Sequence, residues 1–382
     1  MSQTIEVLER LIGFNSVSAR SNLDIIDYIE GFLRERGFRT IRITDPTGQK
    51  AGLFAEIGPA DGGIMLSGHT DVVPVDGQDW TRDPFRLTRE GDKLYGRGAT
   101  DMKGYLAAML RAADLAVGRD LKEPLKLVFS YDEEIGCVGI QHMKDQLAPL
   151  LGTPRACIVG EPTEMQVAIG HKGKAAIRAV CNGQNGHSAM APMFVNALHL
   201  ASDFVSELRG IQGYLASHGA QDDAYDVPYS TVHIGKLSGG MALNIVPDYA
   251  ELTFEYRHLA ADAPDGIMDQ IREAALRVAE PYHKVFPAAE ITLERYNAYP
   301  GLDVSADAPV VTLAQRLAAN QHVTKVAFGT EAGVFDDLGI NTIVCGPGSM
   351  AGQGHKPDEY VTADQLAACD HMMDRILVDI TH

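Results

Sequence analysis

A chain of 382 residues, 45% hydrophobic and 22% charged, is too long for one ordinary core and reads as a folded protein of about two domains. Its net charge of -18 argues against nucleic acid as a partner, because phosphate binding needs clustered Lys and Arg. The same charge fits an ordinary acidic surface and is compatible with a cationic substrate or metal ions.

The acidic start MSQTIEVLERLIGF has helical spacing rather than a basic stretch followed by an apolar one, so no signal peptide is expected. Apolar residues three and four apart predict helices over 3–14 and 22–37. AGLFAEIG (51–58), GIMLSGH (63–69), LKLVFSY (125–131) and ACIVGE (156–161) are short apolar runs bounded by Gly, Asp or Pro, the pattern of buried strands. An Ala/Leu/Met helix over 102–117 lies between the second and third. Helices alternating with buried strands imply an α/β fold with a mostly parallel central sheet covered on both faces.

Near Gly173 the pattern changes. KAAIRAVCNG, a helix over 196–209, STVHIGKLSGG, ALNIVPDYAELTFEYR, a helix over 264–280 and EITLERY read as β-α-β-β-α-β. Alternation of Ala250, Leu252, Phe254 and Tyr256 with polar residues indicates a sheet with two unlike faces. This predicts an α+β domain, 173–295, inserted into a discontinuous domain of 1–172 and 296–382. The latter resumes with a helix over 308–319, strand TIVCG (342–346) and a closing helix over 363–379. No apolar run approaches the roughly 20 residues that span a membrane. The five cysteines are widely spaced without a CxxC pair, so neither a disulfide framework nor a zinc finger is indicated and a reducing cytoplasm is expected.

HExxH, a GxSxG elbow, a Walker loop and a strand-linked GxGxxG are absent. What remains is a set of acids and histidines at strand ends: His69 and Asp71, Asp101 at a helix start, Glu133 and Glu134, and Glu161. In an open α/β sheet functional residues gather beyond the carboxyl ends of the strands, so these positions converge on one rim. Each taken alone is ordinary, since a strand-end histidine is commonly a satisfied residue and a Glu-Glu pair a solvated loop. Together the acids would repel one another unless a cation sat among them. Two histidines and three carboxylates, one shared, would hold two divalent ions. Nitrogen and oxygen donors without thiolate suit zinc, with cobalt or manganese possible.

In this order SGHTDVVP, GRGATDMKG, DEEIG, GEPT and GHKPDEY resemble the dinuclear zinc amidohydrolase/exopeptidase family, over essentially the whole chain. The resemblance implies that His69 and Glu161 ligate one metal and Glu134 and His355 the other, with Asp101 bridging. It makes Asp71 the residue that orients His69, and Glu133 the general base. It also implies a cis peptide at Asp101-Met102, and a homodimer through the inserted domain, which acts as a lid. His187, in NGHS, would complete the site across the dimer, while Arg257 and Asn244 would hold substrate carboxylate and carbonyl groups. FGTEAGVF and VCGPGSMAGQGHKPDEYV look most like the family members that deacetylate N2-acetyl-L-ornithine. The expected activity is therefore hydrolysis of an N-acyl amino acid, with a succinylated or other acylated relative as the alternative and a catalytically inactive dimeric relative as the non-enzymatic one. Glu331 either meets a cationic substrate side chain or caps a helix, and Lys103 has no assigned role.

Overall fold

The structure, a computed structural model, describes residues 2–59 and 61–382. It divides into two compact units, Met1–His171 with Leu302–His382, and Lys172–Gly301.

The first unit is built on a nine-stranded sheet. At its centre Leu125–Ser130, Ile64–His69, Ala156–Pro162 and Thr342–Gly346 run parallel, and Arg39–Thr44 and Ala51–Ile57 extend it antiparallel on one side. Alternate residues of the central strands face opposite layers. Ile64, Leu66, Leu125, Leu127, Ile158 and Ile343 join one apolar core with helices Gln3–Ile12, Leu23–Arg34, Lys103–Ala116 and Ala363–Asp379. Helices Val138–Leu151 and Ala332–Asp337 form a second layer, packed on one another and on strands of the same sheet. With both faces covered, every residue of these four central strands is buried, which is why they read as continuous apolar runs.

A three-stranded antiparallel sheet, Tyr360–Thr362, Lys93–Tyr95 and Thr88–Glu90, ties the chain before Asp101 to the segment after His355. The closing helix starts on a capping box in which Thr362 and Gln365 satisfy each other's backbone N–H groups.

The second unit is a four-stranded antiparallel sheet in the order Thr231–Gly239, Tyr249–His258, Gly173–Asn182, Glu290–Tyr299. Ala250, Leu252, Phe254 and Tyr256 are buried in one core with helices Ala197–His218 and Pro264–Ala279, while Glu251, Thr253 and Glu255 alternate on the more open face.

Several boundaries differ from the sequence reading. The second helix stops at Arg34, where Gly37 at φ +81° turns the chain and Phe38 N–H bonds back to Leu33. The helix expected to end at 209 continues to His218 through Gly210 and Gly213, because Leu208, Ile211 and Leu215 are buried in the unit's core and outweigh two poor helix formers. The last strand of the second unit reaches Tyr299 rather than ending at Tyr296, a bulge between Arg295 and Asn297 having broken its alternation. Helix Val138–Leu151 has no counterpart in the sequence reading, its pattern being interrupted by Gly139 and Pro149. Among the described residues no helix is long and apolar enough to cross a membrane.

Candidate metal centre

The parallel register sets His69 opposite Ser130, so the chain leaves both strands at the same rim, beside the end of Ala156–Pro162. His69 is 1% exposed. Its Nδ1 lies 2.9 Å from the backbone carbonyl of Asp71 and 3.4 Å from that residue's Oδ1. With Nδ1 held there, Nε2 faces the acids, 3.0 Å from Asp101 Oδ1 and 3.7 Å from Glu161 Oε1. On the far side His355 Nε2 sits 3.1 Å from Asp101 Oδ2 and 3.0 Å from Glu134 Oε2. The two oxygens of Asp101 are thus divided between two imidazoles. Donor atoms of His69, Glu133 and Glu161, and of His69, Asp101 and Glu134, cluster within 4.8 Å of one another.

Burial gives this cluster its electrostatics. It pushes the carboxyls of Glu133 and Glu161 well above their ordinary value, and neighbouring acids add to the effect. Glu134 is raised to about 7, again by burial and then by Asp101. Burial also disfavours ionised Asp101, yet hydrogen bonds from His355 and His69 hold it below the usual carboxylate range. His355 is lifted to about 10 by its bonds to Asp101 and Glu134. Buried Oε1 atoms of Glu134 and Glu161 have no hydrogen-bond partner. Unpaired carboxylate lone pairs and two imidazoles facing one small space are a donor set that fits divalent cations.

Asp71 does more than the sequence reading assigns it. Its Oδ1 accepts the N–H of Glu133 at 3.1 Å, and its Oδ2 accepts the N–H of Glu134 at 3.2 Å and the Ser18 hydroxyl at 2.7 Å. The same carboxylate therefore sits beside His69 and anchors the backbone of both glutamates. Lys50 adds an ion pair to Asp132, just before them, and also donates to the Ser18 carbonyl. Cys137 Sγ lies 3.4 Å from Glu133 Oε1. Ser18, Lys50 and Asp132 carry no motif signal and escape sequence reading.

Asp101 follows a loop whose backbone is held by Glu359: Oε1 accepts from Thr100 N at 2.9 Å and Asp101 N at 3.1 Å. The Asp101–Met102 peptide is cis. Lys103 is buried, with Nζ donating to the Phe14 carbonyl at 2.7 Å, a structural tie to the loop after the first helix. Glu331 is 1% exposed and occupies the N-cap position of Ala332–Asp337 without a side-chain capping bond; the Thr330 hydroxyl accepts from Ala332 N instead. Glu331 therefore stands at the start of that helix, as the cap alternative expected, but its carboxylate makes no capping bond. Burial raises its carboxyl to about 7, and although neither oxygen makes a hydrogen bond of ordinary geometry, Ser130 and His69 lie close enough to favour the ionised form.

In the second unit, His187 and Asn244 are neighbours. Gly186–His187 pairs with Ile245–Val246, and Ser188 N–H donates to the Asn244 carbonyl at 3.1 Å. Both side chains are exposed; His187 Nδ1 accepts from Ala189 N at 3.1 Å, which puts the N–H of the neutral ring on Nε2. Arg257 stands on Tyr249–His258 with Nε donating to Glu255 Oε1 at 2.9 Å.

The sequence pattern of Peptidase family M20/M25/M40 matches residues 65–379. The acetylornithine deacetylase of Aliivibrio salmonicida (strain LFI1238) is 32% identical over 378 residues, which cover 97% of this chain and 97% of that protein. Among solved structures, the M20 family metallo-carboxypeptidase Sso-CP2 of Sulfolobus solfataricus superposes with a TM-score of 0.80 at 20% identity, covering 100% of both chains. The Bacillus subtilis YXEP protein, described as a dinuclear metal binding peptidase from the M20 family, gives a TM-score of 0.68 at 17% identity over 99% of this chain and 98% of that one.

Proposed function

The chain belongs to Peptidase family M20/M25/M40 and is a hydrolase acting on an amide, and on that premise we propose that it converts N2-acetyl-L-ornithine to L-ornithine and acetate. The observation that carries the chemistry is the division of one buried carboxylate, Asp101, between His69 and His355, with Glu133 and Glu134 beside it on a backbone anchored by Asp71.

His69, Glu161 and Asp101 would hold one divalent ion, and Asp101, Glu134 and His355 the other. Zinc suits the donors, with cobalt or manganese as alternatives. Such a pair, when bound, lowers the pKa of water and polarises an acyl oxygen. Glu133 removes a proton from the water that attacks the acetyl carbonyl carbon. As the carbon–nitrogen bond breaks, it returns that proton to the leaving amine. Asp71 keeps the Glu133–Glu134 turn in register with His69, so that positioning is built in before substrate arrives.

From the inserted unit, His187 supplies a donor to the developing oxyanion, and we assign it to the neighbouring subunit of a homodimer. Arg257 and Asn244 hold the substrate's carboxylate and carbonyl, a guanidinium fork being suited to a carboxylate. Glu331 is the carboxylate assigned to the ornithine ammonium. The proposal extends to a cytoplasmic enzyme of arginine biosynthesis.

Zinc-reconstituted protein should be assayed for amine release from N2-acetyl-ornithine, N-acetyl-citrulline, N-succinyl-diaminopimelate and N-acetyl amino acids with neutral side chains. The proposal expects the highest kcat/KM on N2-acetyl-ornithine. Preference for the succinylated or a neutral substrate would refute the assignment while leaving an amide hydrolase.

A further inference from the structure

Asp101 and His355 come from distant parts of the chain, yet their side chains meet at 3.1 Å. His69 arrives on a strand paired on both sides and is 1% exposed. By contrast, His355 lies on a loop, its side chain 44% exposed and its backbone at φ +59°, a left-handed conformation that a non-glycine residue keeps only when its surroundings hold it. Something must therefore hold that loop against Asp101.

The geometry points to Gln78, with the buried Arg97–Glu359 pair behind it, as a positioning relay that fixes the backbone of His355 relative to that of Asp101 and so sets the affinity of the ion on the His355 side. This rests on the reading of the site as a two-metal centre. At its buried end Glu359, 1% exposed, accepts the N–H groups of Thr100 and Asp101 through Oε1 and pairs with Arg97 Nη1 through Oε2 at 2.6 Å. Arg97 is fully buried; it reaches the Lys356 carbonyl at 3.4 Å and donates to Gln78 Oε1. Gln78 is the junction. Its Oε1 also accepts Trp80 Nε1 at 3.0 Å, and its Nε2 donates to the His355 carbonyl at 3.2 Å. The indole of Trp80 lies 4.9 Å from the Arg97 guanidinium.

The planar guanidinium, always charged, joins two acceptors on opposite sides with fixed geometry. In a dry interior this pairing resists distortion because separating its charges is costly. Backbone bonds at both ends then transmit that rigidity to two ligand-bearing residues. Release at Gln78 frees the His355 backbone while Glu359 still holds Thr100 and Asp101, so it acts on the ion on the His355 side and spares the one at His69 and Glu161.

The chain's single tryptophan, Trp80, sits on the relay and reports its state. Gln78→Met keeps the side chain's volume, removes every side-chain hydrogen bond that Gln78 makes, and leaves the buried Arg97–Glu359 pair intact. Zn2+ is titrated into metal-free wild type, Gln78→Met and His355→Ala by calorimetry, with Trp80 fluorescence followed in parallel; His355→Ala marks which binding event belongs to the His355 side. Wild type should take two ions. Gln78→Met should bind the ion on the His69 side as wild type does and the other about 10- to 100-fold more weakly, the range for partners that orient a ligand, with the Trp80 response to that second ion lost. Glu359→Gln loosens Asp101, which the two ions share, and should therefore weaken both, in contrast to Gln78→Met. Wild-type affinity for both ions in Gln78→Met, or equal weakening of both, overturns the relay. Wild type that takes up no Zn2+ overturns the two-metal reading instead, an outcome visible before any variant is compared.

Discussion

Replacing Asp71 by Asn keeps the side chain's shape, removes its charge and leaves one backbone donor without an acceptor. The carboxylate accepts three hydrogen bonds, from Glu133 N, Glu134 N and the Ser18 hydroxyl. An amide has one oxygen, and its NH2 must face one of the other donors. Turned one way, the NH2 opposes Glu134 N, while the Ser18 hydroxyl can rotate to accept. Turned the other way, it opposes Glu133 N. In either orientation one main-chain N–H loses its acceptor, at about 1–3 kcal/mol for a donor withdrawn from water. Both glutamates are adjacent to the break, so the cost appears in geometry as well as in stability. A displacement of about 1 Å at such a site costs on the order of 100-fold in rate. Urea denaturation of metal-free Asp71→Asn should show a loss of about 1–3 kcal/mol, and the metal-loaded variant a fall in kcat of on the order of 100-fold with KM little changed. Wild-type stability together with wild-type kcat would refute the anchoring role of Asp71.

Glu133→Ala should bind zinc at the wild-type stoichiometry and lose about 10²- to 10⁴-fold in kcat; near-normal turnover in the metal-loaded variant would remove Glu133 as the base. Gly160 precedes Glu161, and a Cβ there would lie 2.0 Å from Cδ1 of the fully buried Tyr105 ring. Gly160→Ala should therefore destabilise by about 1–3 kcal/mol through overpacking and weaken metal binding, as read by denaturation and zinc titration; unchanged values in both would show that the strand end yields freely. His187→Ala should purify with its metals and turn over poorly. Mixing it with Glu133→Ala should restore part of the activity, and a heterodimer that forms without such restoration would end the cross-subunit role.

Much of the centre was visible in the sequence because strand ends carry it. An apolar run with both faces buried cannot hide a histidine or a carboxylate, so His69 and Glu161 stand out where their strands stop. The acids were legible as a group for a similar reason: five carboxylates drawn to one rim need compensating charge. Supporting groups left no such trace. Lys50, Ser18 and Gln78 are ordinary polar residues in loops, and only the folded chain reveals what they touch. Arg97 and Glu359 lie inside the GRGATD and KPDEY segments, yet nothing in their spacing of more than 250 positions says that they pair.

Alternation and apolar runs are local properties, and from them the sequence by itself determined the α/β architecture, the change to an antiparallel α+β segment after Gly173, and the residue types gathered at the rim. Tertiary structure alone decided the distances. It brought Asp101 between His69 and His355, turned Asp71 towards two backbone N–H groups, and left Glu331 buried without a capping bond. The reason is physical: periodicity encodes which face of an element is buried, whereas a ligand's position depends on loops whose conformation is held by contacts hundreds of residues apart in the chain.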